Sequence, residues 1–156
     1  MNSEHRLTIF DFRSEYKIEK GEYVIDPIFS GANDFSEGLA AVLINKKWGY
    51  IDTTGKIVIE PQFYKANGFS ENLAFVNLRD VAWVGPYMNA IINKKGDIVF
   101  ELNDSLVSVD SNGIESYELK SFYGPSKFKN GIAKYYTGYH FTGDIKYIRK
   151  DGKIIW

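Results

Sequence analysis

Asp26-Pro27-Ile28-Phe29-Ser30-Gly31-Ala32-Asn33-Asp34-Phe35-Ser36-Glu37-Gly38-Leu39-Ala40-Ala41-Val42 is followed 34 residues later by Glu60-Pro61-Gln62-Phe63-Tyr64-Lys65-Ala66-Asn67-Gly68-Phe69-Ser70-Glu71-Asn72-Leu73-Ala74-Phe75-Val76. Ten of the seventeen aligned positions are identical, so the chain contains an internal repeat. The register extends backwards: Gly21-Glu22-Tyr23-Val24-Ile25-Asp26-Pro27 lines up with Gly55-Lys56-Ile57-Val58-Ile59-Glu60-Pro61. A unit this short cannot bury its own apolar face, so neighbouring units must stack or pair to make a continuous core.

A third copy is degenerate. Phe128-Lys129-Asn130-Gly131-Ile132-Ala133 matches Phe35-Ser36-Glu37-Gly38-Leu39-Ala40, with Gly113 in the place of Gly21 and Gly55. The Pro-Phe corner is replaced there by Ser121-Phe122-Tyr123. The reading is one domain over residues 1–156, with irregular copies at 16–49, 50–90 and 107–147. A half-unit at 91–106 lies between copies two and three, and residues 148–156 form a C-terminal cap. Turn glycines stand at 21, 55, 96, 113 and 152.

Each turn has a physical reading. In Tyr50-Ile51-Asp52-Thr53-Thr54-Gly55-Lys56-Ile57-Val58-Ile59, two β-rich runs flank a polar loop. The Asx side chain can bond the backbone of the turn it opens. The glycine supplies the left-handed residue of a G1 bulge. The predicted unit is a hairpin, a Pro-Phe corner, a polar loop and a third strand, which is Leu39 to Asn45 in copy one and Leu73 to Leu78 in copy two. No segment has helical periodicity. The fold class is therefore all-β: an antiparallel meander of three to four hairpin repeats, as an open curved or rolled sheet or a closed barrel.

The composition agrees. The chain has 156 residues, 11 Tyr, 11 Phe, 3 Trp and 14 Gly, a mix that favours strands and tight turns. With no cysteine, disulfides and thiolate chemistry are excluded, and two histidines cannot make a His-rich metal site. The N-terminal apolar run is too short and interrupted for a signal peptide, and no run of about 18 apolar residues exists. The expectation is a cytoplasmic protein without membrane contact.

Lys47-Trp48-Gly49-Tyr50-Ile51-Asp52-Thr53-Thr54-Gly55-Lys56-Ile57-Val58-Ile59, followed by Phe69-Ser70-Glu71-Asn72-Leu73-Ala74, resembles the bacterial WG repeat. The resemblance covers residues 16–78 well and 91–156 loosely. One Trp-Gly pair is present, at Trp48-Gly49; copy two has Asn89-Ala90-Ile91-Ile92-Asn93 in that stretch, and the C-terminal copy has Lys146-Tyr147-Ile148-Arg149. The resemblance implies a binding scaffold and carries no catalytic signature.

Catalytic templates fail on the residues as well. There is no G-x-S-x-G, Walker A, H-E-x-x-H or dinucleotide fingerprint. Asp26 and Glu60 precede the corner proline, and Glu37 and Glu71 follow Phe-Ser. Carboxylates at equivalent places in successive repeats read as turn and corner stabilisers rather than an acid/base pair. Trp48 reads as a packing residue with Gly49 leaving it room, and Phe29, Phe35, Phe63 and Phe69 as core.

Irregular segments on a regular scaffold are where binding residues concentrate. Residues 79–87 interrupt copy two and carry Arg79, Trp83 and Tyr87. Residues 135–141 stand in the matching place of the last copy and carry Tyr135, Tyr136, Tyr139 and His140. Trp, Tyr and Arg are the usual interface anchors, so these seven are the candidate partner-binding residues. The competing reading is that their aromatics cap the open ends of the sheet.

Residues 120–156 hold eight Lys/Arg against two Asp, a balance of +6, while residues 1–119 carry −7. A basic face with interleaved tyrosines suits nucleic acid, but the whole chain's net charge of −1 argues against that as the main role. The leading expectation is a non-enzymatic module that binds a protein, with toxin neutralisation as one form, and no cofactor or metal. The alternatives are a small-ligand binder or hydrolase-like enzyme with a carboxylate, Tyr and His140 cleft, and a weak nucleic-acid binder. Oligomeric state is left open.

Overall fold

The structure, a computed structural model, describes residues 29–80, 87–102, 105–109, 115–118, 122–136 and 144–155. Among them all regular structure is strand, and every ladder is antiparallel. The first sheet runs β1 (Gly31–Ala32), β2 (Leu39–Ile44), β3 (Lys47–Asp52), β4 (Ile57–Phe63) in that order. The second runs β5 (Lys65–Ala66), β6 (Leu73–Asn77), β8 (Ala90–Asn93), β9 (Ile98–Glu101). The third runs β14 (Ile145–Arg149), β13 (Ile132–Tyr136), β12 (Phe122–Tyr123), β7 (Tyr87–Met88). A separate hairpin pairs β10 (Ser105–Val109) with β11 (Glu115–Glu118).

The fold is thus the expected all-β antiparallel meander, and among the described residues it does not close into a barrel. Its path is cut into three open sheets that stack face to face. Alternation along the strands shows the stacking, because successive side chains point to opposite faces. On β6, Ala74 and Val76 join Leu39, Ala41, Tyr50 and Phe63 of the first sheet in one core. Leu73 and Phe75 join Ala133, Tyr135 and Ile148 of the third sheet in another. The middle sheet is covered on both faces, which is why every residue of β6 is buried.

The cut falls at the Pro-Phe corner. Only Tyr64 separates β4 from β5, so the chain leaves one sheet and enters the next within a residue. Proline lacks a ladder donor, and Pro61 sits on an edge strand where none is needed. Opposite it the register slips: Trp48 pairs with Phe63 but Tyr50 with Ile59. A Cβ on Gly49 would lie 2.5 Å from the Ile59 carbonyl oxygen and 2.8 Å from the Pro61 nitrogen. The room that Gly49 leaves is therefore used by the β4 backbone rather than by Trp48, which lies half-buried against the first core. Phe63 and Phe69 are buried in that core, while Phe29 and Phe35 pack partly buried against Ala40, Val42 and Ile51.

Two turn chemistries alternate. In the first, Asp52 Oδ1 accepts from the amides of Thr54 and Lys56, Asn93 Oδ1 does the same for Lys95 and Asp97, and Gly55, Gly96 and Gly152 adopt left-handed backbone. Gly21 and Gly113 lie outside the described residues. The second is a two-residue turn at Glu37-Gly38, Glu71-Asn72 and Asn130-Gly131, with positive φ at both positions of each. That is type I′ geometry, which suits a tight hairpin because its twist matches that of the strands.

Candidate partner-binding region

The insertion after β6 is held at its root by two buried asparagines. Asn77 Nδ2 donates to the Tyr87 carbonyl at 3.1 Å, and Asn77 Oδ1 accepts from the Arg79 amide at 2.7 Å. Asn89 Oδ1 accepts from the Leu78 amide at 2.8 Å. Buried amide side chains earn their place by bonding backbone that a regular ladder cannot serve, and here the chain leaves β6 and returns at β8. The Arg79 guanidinium adds a bond to the Leu102 carbonyl.

After that root, β7 joins the third sheet rather than the second. Tyr87 pairs with Tyr123 on β12, and Tyr123 pairs with Tyr136 on β13. The sequence places Tyr87 and Tyr136 in two distant irregular segments; the structure brings them to one row, two strands apart. Strand spacing sets that separation at about 10 Å.

The other candidates divide. Arg79 and Tyr87 are half-buried, as is Tyr136, whose ring lies 5.1 Å from the Lys134 ammonium. Tyr135 points the other way: it is 3% exposed, lies in the core between the second and third sheets, and burial pushes its hydroxyl pKa up. Its position one residue from Tyr136 on a strand dictates this, since the two must face opposite sides. Tyr135 is thus a core residue. Trp83, Tyr139 and His140 lie outside the described residues, and Asp144, considered with His140 for acid/base work, is exposed.

Sequence reasoning missed the residues that share the Tyr136 face of the third sheet. Ile132, Ile145 and Tyr147 are 39%, 48% and 37% exposed. The signal was available in Ile132-Ala133-Lys134-Tyr135-Tyr136, where apolar residues occupy both phases of a strand whose terminal sheet has only one face to bury. No cluster of three or more His, Asp or Glu suited to a metal occurs among the described residues. No helix among them is long and apolar enough to cross a membrane.

A family model described as WG containing repeat matches residues 19–48 and 48–81. Residues 19–81 belong to the WG repeat family. The two matches meet at Trp48, in β3, whose partner Gly49 is the residue that lets β4 cross to the next sheet. WG repeats are typically non-catalytic, and their presence here suggests a repeat-based binding module. No curated protein and no solved structure matches the chain.

Proposed function

We propose that this chain is a non-catalytic protein-binding module, acting in the cytoplasm, in which WG repeats hold the two irregular segments at one end of the stack. The observation that carries the reading is the row linking Tyr87 to Tyr136 through β12. It brings Tyr87 and Tyr136, one described residue from each aromatic-rich irregular segment, onto the same sheet, beside a root fixed by Asn77 and Asn89. A stiff base lowers the ordering cost of binding. Neutralising a toxin is the specific form of partner capture we favour for so compact a module.

The test is a tagged pull-down from native lysate at low and moderate salt, with the Trp83→Ala/Tyr87→Ala double variant in parallel. One stoichiometric protein that survives moderate salt and is lost in the double variant supports the reading. Unchanged capture in the variant overturns the assignment of these residues, and nucleic acid released by salt in place of a protein overturns the reading itself.

A further inference from the structure

The three sheets carry equivalent rungs. Ala41 pairs with Tyr50 in the first sheet, Phe75 with Ile91 in the second, and Lys134 with Tyr147 in the third. Next to each lies another equivalent rung: Leu39 with Asp52, Leu73 with Asn93, and Ile132 with Arg149. In the first two sheets Leu39, Ala41 and Tyr50, and then Leu73, Phe75 and Ile91, form the face that the next sheet covers. In the third sheet the inward positions are Ala133, Tyr135 and Ile148, so Ile132, Lys134, Tyr136, Ile145, Tyr147 and Arg149 occupy the face where a fourth sheet would sit.

That face keeps apolar residues of the stacking kind but changes its charge. A lysine stands where Ala41 and Phe75 meet the next sheet. The staple that reaches forward is changed too: Ser36-Glu37 and Ser70-Glu71 become Lys129-Asn130. At both internal interfaces the carboxylate comes from the earlier sheet and the lysine from the later one, Glu37 with Lys94 and Glu71 with Lys150. On the outward positions of β13 and β14 the charged residues are Lys134 and Arg149, with no carboxylate on either strand; Arg149 lies 3.5 Å from Asp151 in the turn beyond.

We infer that the outer face of the third sheet is the docking face for a protein surface that takes the place of a fourth repeat and supplies carboxylates beside apolar side chains. This inference rests on the protein-binding reading above. A second copy of this chain fits poorly, because two such faces would set Lys134 and Arg149 against their own mates, and like charges across an interface repel. Nucleic acid fits less well than protein: Ile132 and Ile145 offer nothing to phosphates, and Asp144 and Asp151 flank the two ends of β14.

The experiment is an amide NMR titration of the full chain with a synthetic peptide alternating Glu with Val and Tyr. The same peptide with Lys for Glu, and an oligothymidylate, serve as controls. The acidic peptide is expected to shift resonances of β13 and β14, and Lys134→Glu and Tyr147→Ser are each expected to weaken it about tenfold while the melting temperature holds. No shift with the acidic peptide, binding undiminished in Lys134→Glu, or preferential binding of the lysine peptide or the oligothymidylate to these strands would each overturn the inference. A dimer in sedimentation that dissociates in Lys134→Glu would overturn it as well. The two readings separate in the pull-down. A protein captured equally by Lys134→Glu and lost in the Trp83→Ala/Tyr87→Ala variant leaves the module standing and overturns this face.

Discussion

The Glu37 carboxylate accepts a hydrogen bond from the backbone amide of Asn72 at 2.9 Å, tying the tight turn of one repeat to the same turn of the next. Glu71 repeats the bond to the Gly131 amide, also at 2.9 Å. The preceding serines follow suit: Ser36 Oγ donates to the Phe69 carbonyl, and Ser70 Oγ accepts from the Phe128 amide. Lys94 lies 3.3 Å from Glu37, and Lys150 lies 3.5 Å from Glu71. Phe-Ser-Glu is therefore an inter-repeat staple, and Lys129-Asn130 ends the series. Of the carboxylates singled out by their periodicity, Glu37 and Glu71 do stabilise turns, but the turn each one serves belongs to the following repeat; Asp26 lies outside the described residues.

The staples make stability depend on acid. Burial opposes ionisation of Glu37, but the Asn72 amide, Lys94 and the Glu71 amide outweigh it and hold its carboxyl below the ordinary value of 4.5. The Gly131 amide leads the same effect at Glu71. A folded-state pKa below the unfolded one adds stability that is full above the unfolded value and is lost as pH falls through the folded one. The urea midpoint of the wild type should fall between about pH 5 and about pH 3. The Glu37→Gln/Glu71→Gln variant should start lower at neutral pH and show a smaller fall over that window.

Gly49 and Gly38 should fail for different reasons. Alanine at 49 meets the Ile59 and Pro61 backbone, which cannot give way without breaking the sheet-to-sheet corner. Gly49→Ala is expected to cost about 3 kcal/mol or more. Gly38 has open space around it but a φ of +84°, so Gly38→Ala carries only the left-handed strain of roughly 1–2 kcal/mol. Chemical denaturation of the two variants measures the difference; equal losses would refute the steric account of Gly49.

Tyr50 fastens β3 of the first sheet to the segment between β5 and β6 of the second. Its ring lies 4.8 Å from that of Phe69, and its hydroxyl donates to the Asn67 carbonyl at 2.8 Å. Tyr50→Phe keeps the ring and orphans the carbonyl, for an expected loss of about 1–2 kcal/mol. A thermal melt that does not move would show that water replaces the hydroxyl.

The two asparagines at the root of the insertion should differ. Asn77 uses both ends of its amide, whereas Asn89 Nδ2 is buried with no hydrogen-bond partner among the described residues. Asn77→Ala should cost about 2 kcal/mol, and Asn89→Ala about 1 kcal/mol because it also removes the orphan donor. Hydrogen exchange should speed up at the Arg79 amide in the first variant and at the Leu78 amide in the second.

Much of the fold was legible because repetition exposes it. The 34-residue period, the Asx-Gly turns and the absence of helical patterning fix local structure, and local structure here depends on near neighbours in the chain. The site was less so. Tyr87 and Tyr136 were singled out by composition, but nothing in their spacing shows that β12 would join them in one row. Tyr135 was placed with Tyr136 although strand alternation sends the two rings to opposite faces.

The sequence by itself determined an all-β chain with WG repeats over residues 19–81, their turns, and the recurrence of Ser36-Glu37 at Ser70-Glu71. Only the tertiary structure decided that the meander divides into three stacked sheets, that each glutamate serves the next repeat, and that Ile132, Lys134 and Tyr147 lie on the open end. The physical reason is that periodicity encodes which residues are equivalent, whereas the face a residue presents and the neighbour that covers it depend on where the chain changes sheet. That change is set by the close approach of the β4 backbone to Gly49, a contact between residues ten or more positions apart that no local pattern records.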